Sequence, residues 1–205
     1  MSTRRFRAET TPMFWRGGPD LPPDDTSYAE IYGSEVDGSY VIPAVPYHKI
    51  NPIYYRQVVE DPTGEKPGTL VVDTHQKFLY HVHDDGSATR YGVGVGRQGF
   101  SWSGRGIIQW KQKWPTWTPP GDMVDRQPEL AKYAKDGMDP GLMNPLGARA
   151  MYIFKDGKDT LYRIHGSPEW WSIGKAVSSG CIRLINQDVI HLYAHTPVHT
   201  HVLVV

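Results

Sequence analysis

The sequence predicts a mainly β domain, a β-sandwich-like fold with one or two short helices and a long flap. Two observations carry that reading. Apolar and polar residues alternate with period two over long stretches, and Asp/Gly turn signals separate the alternating runs. Residues 1 to about 35 are rich in Pro, Gly, Asp and Thr, as in Gly17-Gly18-Pro19-Asp20, which predicts an irregular arm. Between 36 and 66 the apolar fragments Tyr40-Val41-Ile42-Pro43 and Ile53-Tyr54-Tyr55-Arg56 are broken by Pro46 and Pro52. They read as extended segments packed on a main domain. From Gly68 onward the β signal is continuous. Phe78, Tyr80 and Val82 alternate, Asp84-Asp85-Gly86-Ser87 supplies a turn, and Thr89, Tyr91, Val93 and Val95 alternate back. Ala150–Lys155 and Asp159–His165 form a second hairpin around Asp156-Gly157, with Leu161, Arg163 and His165 on one face. Between the hairpins, residues 113–147 are too long and proline-rich for a simple loop and suggest a flap over a site. Asn186–Tyr193 is the clearest helix: Asn186 can cap it, and Asp188 suits its first turn. Val198–Val205 closes as a strand.

Composition excludes several functions. Lys plus Arg equals Asp plus Glu at 22 each, so no net basic field exists to hold nucleic acid or an anionic membrane. No apolar run is long enough for a transmembrane helix. The basic start, Met1 to Arg7, is followed by Ala8-Glu9-Thr10-Thr11-Pro12 where an export signal needs an apolar core. Either the protein stays inside the cell or a signal has been trimmed. His191, His195, His199 and His201 recur near the end, but Pro197 interrupts the spacing, and neither metal nor cofactor is expected.

The chain has a single cysteine, Cys181, in Ser178-Ser179-Gly180-Cys181-Ile182-Arg183-Leu184. A lone cysteine is either a small buried hydrophobe or a reactive thiol. The preceding serines and glycine suit a turn, and the nearby arginine favours thiolate. His165 stands upstream in Arg163-Ile164-His165-Gly166-Ser167. A thiol and an imidazole brought together by a fold are the minimum for cysteine acyl transfer. His165 would accept the thiol proton or hold it in an imidazolium–thiolate pair. Trp110, Trp114, Trp117, Tyr162 and the pair Trp170-Trp171 could be core residues or line a groove for a peptide or sugar.

The pattern His165-Gly166, Ile173-Gly174 and Ser-x-Gly-Cys-Ile-Arg resembles the L,D-transpeptidase (YkuD-type) catalytic domain. Gly68–Asp73, Tyr91–Gly96, Trp114–Pro120 and Asn144–Gly147 extend the likeness, which divides the chain into an extension, 1–66, and a catalytic domain, 67–205. With Ser179 before the cysteine and Arg183 after it, the chain resembles the Gram-negative and Bacillus type. The resemblance implies that Cys181 is the nucleophile, His165 the base and the Gly166 carbonyl its orienter. Backbone N–H groups at Gly180 and Cys181 would receive the oxyanion. Arg183, Ser179, Trp114, Trp117 and Asn144 would face substrate. The implied activity is peptidoglycan cross-linking in the periplasm, from a tetrapeptide stem to a second stem or an outer-membrane protein. The same resemblance implies a carbapenem target. On the same residues, an L,D-carboxypeptidase or an inert wall-binding module remains open.

Overall fold

The computed structural model describes residues 26–97 and 102–205. The expected irregular arm lies, up to residue 25, outside the described residues. Its described part, from Thr26, is regular: α1 (Thr26–Ile31) leads into a hairpin of β1 (Glu35–Asp37) and β2 (Tyr40–Ile42). Then follow β3 (Gln57–Glu60), β4 (Leu70–Asp73), β5 (Phe78–Val82), β6 (Ser87–Gly92), β7 (Val95–Gly96) and β8 (Gly104–Lys113). After α2 (Gly121–Arg126) come β9 (Arg149–Lys155), β10 (Lys158–Ser167), β11 (Ala176–Ser178), β12 (Ile182–Ile185), α3 (Asn186–His195) and β13 (His201–Val204).

Nine strands form one sheet in the order β12-β10-β9-β8-β13-β4-β5-β6-β3. β10–β12 and β13–β4 are parallel, and the other pairs are antiparallel. The sheet bends until the chain leaving β6, its next-to-last strand, reaches β12 at the opposite edge. Gly94, just past β6, exchanges backbone hydrogen bonds with Arg183 of β12, at 2.9 and 2.8 Å. β7 pairs with β11 beside this seam. The curl wraps a core of Leu70, Val72, Leu79, Tyr91, Ile108, Met151, Ile153, Ile164 and Leu184, and Val189 and Leu192 of α3 plug it. The alternate residues of the same strands, Val71, Phe78, Tyr80 and Val82, pack on the outer face. That split between faces is what a two-residue period requires.

The second hairpin turns where Asp156 and Gly157 both adopt positive φ, 50° and 73°. This is the backbone an Asp-Gly hairpin turn supplies at low cost. Past it, the register shifts between Asp159 and Arg163, and Leu161 sits at φ 65°. The bulge turns Leu161 out, 75% exposed, so it does not share a face with Arg163 and His165 as expected.

The segment before the sheet is tied down at several points. Tyr28, Tyr32, Tyr47 and Tyr55 cluster with Ile173 and Ile185. Asp37 grips the buried Arg149 with both oxygens, at 2.6 and 2.9 Å, and accepts the Trp114 indole N–H at 2.8 Å. Asp188, fully buried on α3, faces Arg56 at 3.6 Å and accepts from Tyr32 Oη. Thus Asp188 does more than favour the first turn of a helix: it anchors the amino-terminal segment. Among the described residues no helix is long and apolar enough to cross a membrane.

Candidate active site

β10 and β12 run parallel in a register that sets His165 opposite Arg183 and Ile164 opposite Ile182. Cys181 therefore enters β12 beside Arg163, a diagonal neighbour of His165 on the same face. The core residues Ile164, Ile182 and Leu184 occupy the other face, which fixes the register. Sequence alternation thus delivers Arg163, His165, Cys181 and Arg183 together.

His165 is 4% exposed, and its Nδ1 lies 2.6 Å from the Gly166 carbonyl oxygen. A carbonyl only accepts, so Nδ1 carries the hydrogen and Nε2 is left with its lone pair. Burial pulls the His165 pKa down to about 4; the Gly166 contact opposes this, and the Arg183 and Arg163 charges add to it. Cys181 is half-buried. Burial pushes its thiol up, against the Arg163 backbone N–H bonded to the sulfur and the Arg163 and Arg183 charges. Both shifts point one way, toward an uncharged thiol and an uncharged imidazole. The imidazolium–thiolate alternative is the one this burial disfavours.

The turn before Cys181 is held by Ser178, whose Oγ donates to the Cys181 carbonyl at 2.7 Å and accepts the Gly180 N–H at 3.2 Å. Gly180 has φ 127°, a conformation open to glycine. The Ser178 contact bears on one expectation: the Gly180 N–H expected to receive an oxyanion is already donated to Ser178 Oγ. Ser179 is exposed at the tip of the turn.

Arg183 is not free to receive a carboxylate unaided. Its Nη1 holds Glu169 Oε2 at 2.6 Å, while its Nε is buried with no acceptor among the described residues. Glu169 had no pattern in the sequence to place it. Arg163 is a second cation at the thiol, carried by the strand alternation without a role assigned from sequence. It is gripped by Asp159 at 2.7 and 2.8 Å and lies 4.5 Å over the Tyr152 ring, which stacks on Trp110 at 4.5 Å.

Two expected substrate contacts are corrected. Trp114 stacks on Tyr40 at 3.8 Å and donates to Asp37, so it fastens the β1–β2 hairpin. Asn144 is 1% exposed; its amide donates to Pro115, Met138 and Asp139 carbonyls and its oxygen accepts from Leu146. Those contacts use every polar atom of the side chain, and they hold the flap together. Trp117 lies half-buried on the same flap, its backbone paired with Met138. The flap contains α2 and a 3-10 turn over Pro128–Tyr133. Its end packs behind the site, where Gly147 meets Gly166.

Asn186 is the positioning group that sequence reasoning missed. It does not cap α3: Ile185 stands at the cap with no side-chain bond. Its Oδ1 instead accepts the Ala148 N–H at 2.9 Å and packs on Gly166 and Gly147, where a Cβ on either would lie 2.3 Å from that oxygen. Asn186 thereby fixes the peptide whose carbonyl orients His165.

A β domain presenting one thiol beside a hydrogen-bonded imidazole has the parts of a cysteine acyl-transfer domain. The L,D-transpeptidase catalytic domain model, YkuD, matches residues 67–204, and the chain belongs to that family. It is 31% identical over 150 residues to a probable L,D-transpeptidase, ErfK/SrfK, of Escherichia coli, a match covering 70% of this chain and 46% of that protein. Over 92 residues it is 44% identical to a putative L,D-transpeptidase, YqjB, of Bacillus subtilis, covering 42% of this chain and 51% of the relative. The chain thus spans about half the length of these curated relatives. A crystal structure titled as a probable carnitine operon oxidoreductase from Brucella melitensis is 43% identical, covers 78% of this chain and 99% of its own, and superposes with a TM-score of 0.53.

Proposed function

We propose that this chain is a periplasmic peptidoglycan L,D-transpeptidase with Cys181 as nucleophile and His165 as base. The observation that supports it best is the Gly166 carbonyl bound to His165 Nδ1, which leaves Nε2 as proton acceptor beside the strand bearing Cys181. Cys181 attacks the carbonyl between diaminopimelate and D-alanine in a tetrapeptide stem as its proton passes to Nε2. The Cys181 N–H faces the developing oxyanion, and Arg163 and Arg183 favour the negative sulfur. The imidazolium then protonates the leaving nitrogen, D-alanine departs, and a thioester remains. An amine of a second stem, or of an outer-membrane protein, gives its proton to Nε2, attacks the thioester and restores the thiol. Residues 67–205 form the catalytic domain in this reading, and 1–66 an extension packed on it.

The Brucella relative is named an oxidoreductase; the thiol and imidazole on neighbouring strands of this chain support acyl transfer instead. The test is incubation of the protein with purified disaccharide-tetrapeptide, with products separated and weighed. Cross-linked dimer and free D-alanine, both lost in Cys181→Ala, are the expected result. Tripeptide and D-alanine alone, at high acceptor concentration, would make the protein an L,D-carboxypeptidase instead. No turnover of any stem, with no change of wall composition in Cys181→Ala cells, would leave the inert wall-binding module.

A further inference from the structure

We propose that a groove between the amino-terminal segment and the segment linking His165 to Cys181 receives the acceptor, as a carboxylate-bearing stem peptide. The inference rests on the transpeptidase reading above. The groove has a volume of about 240 Å³; Lys49, Asn51 and Tyr54 form one wall, and Trp170, Trp171 and Lys175 the other.

Charge selects the ligand. Lys49 and Lys175 line the groove and no acidic residue does, so it favours an anion. The aromatic lining adds a second requirement. Trp170 and Trp171 meet edge to face, 5.6 Å apart at 85°, and Trp171 is 52% exposed. Half-exposed indole beside ammonium suits an amphipathic ligand with carboxylates on an aliphatic frame, which a stem peptide is.

The walls are built to stay in place. Gly174 has φ 77°, and a Cβ there would lie 2.4 Å from the Tyr54 ring. Only glycine lets the two segments close to this distance. Tyr54 is braced in turn by Phe78, at 5.4 Å between ring centroids. The groove is also joined to the site. Glu169, which holds Arg183, is the residue before Trp170. The donor's scissile bond belongs at Cys181, beside Arg163 and Arg183, whose guanidinium groups Asp159 and Glu169 already hold. Transfer needs a second peptide held at the same time, or water takes the thioester. The groove, which begins at the residue after Glu169, adds Lys49 and Lys175 with no acidic residue in its lining. One wall, Lys49–Tyr54, precedes the family match at 67–204, so acceptor selection here would be a property of this chain.

The test uses the full chain with fixed donor and varied acceptor tetrapeptide, comparing wild type, Lys49→Ala/Lys175→Ala and Trp171→Ala. Acylation of Cys181 by a carbapenem reports separately on the fold and the donor site. The expected result is an about tenfold rise in the acceptor concentration for half-maximal cross-linking, with acylation unchanged. Amidating the acceptor carboxylates should cost wild type as much and the double variant nothing more. Unchanged acceptor dependence, or equal amidation losses in both proteins, overturns the proposal. A parallel loss of acylation also overturns it, by assigning the groove to the donor. Acylation of wild type without cross-linking to any peptide amine sinks the groove proposal and leaves the acyl-enzyme reading standing. Absence of acylation in wild type removes both.

Discussion

At Cys181 and His165, burial acts on both partners in the direction that discharges them. In the proposed mechanism, proton transfer then accompanies attack, instead of preceding it in a standing ion pair. The consequence is a pH profile. With the imidazole pulled down to about 4, His165 in the proposed mechanism serves as base until pH falls toward 4. The acid limb of Cys181 acylation should therefore centre near pH 4; a limb near 6.5 would show an ordinary imidazole. His165→Ala should slow acylation by ~10²–10⁴-fold while the circular dichroism spectrum is retained. Equal rates for both proteins would reduce His165 to a buried strand residue. The pair itself was legible in the sequence because two short motifs carry it. Glu169 on Arg183 was not legible, since a 14-residue separation gives no periodic signal and the contact depends on how the intervening chain folds.

The elements around the pair explain why Gly166 is glycine. α3 crosses behind β10 and sets Asn186 Oδ1 and Val189 Cγ1 at 2.3 and 2.9 Å from where a Gly166 Cβ would be. Gly166→Ala should therefore force the helix away from the strand, at a cost of about 1–3 kcal/mol. In a chain of this size that is a fall of roughly 2–12 °C in melting temperature. Acylation should slow with it, because the displaced carbonyl is the one that orients His165. A melting temperature unchanged by Gly166→Ala would contradict the packing described. Both hairpins and α3 were legible from period-two alternation, Asp-Gly turns and an apolar stripe, which are local signals. The role of Asn186 was not, because its cap propensity is local and its actual partner, Ala148, is 38 residues away. For the same reason Trp114 and Asn144 read as substrate contacts until the fold supplied Asp37 and the flap carbonyls.

Across the whole molecule, the amino-terminal segment and the sheet share buried charges that make stability depend on pH. His165 and His191 are both pulled down to about 4, chiefly by burial. Between pH 6.5 and 4 the unfolded chain binds their protons and the folded one does not, so stability falls as pH falls through that window. Asp188 works in the opposite sense: burial raises it to about 6 against the Arg56 charge. Between about pH 6 and 3.8 the folded state holds its proton first, which adds stability on acidification. Urea unfolding at pH 7, 6 and 5 should show a net loss on acidification that becomes steeper in Asp188→Asn, where the opposing carboxyl is gone. A shallower slope in that variant would contradict the assignment. All of this surrounds one claim, that Cys181 forms an acyl-enzyme. Intact-mass spectrometry after exposure to a carbapenem tests it most directly. A single adduct in the wild-type protein, absent from Cys181→Ala, is the predicted result; no adduct, or one that survives the substitution, would contradict the account.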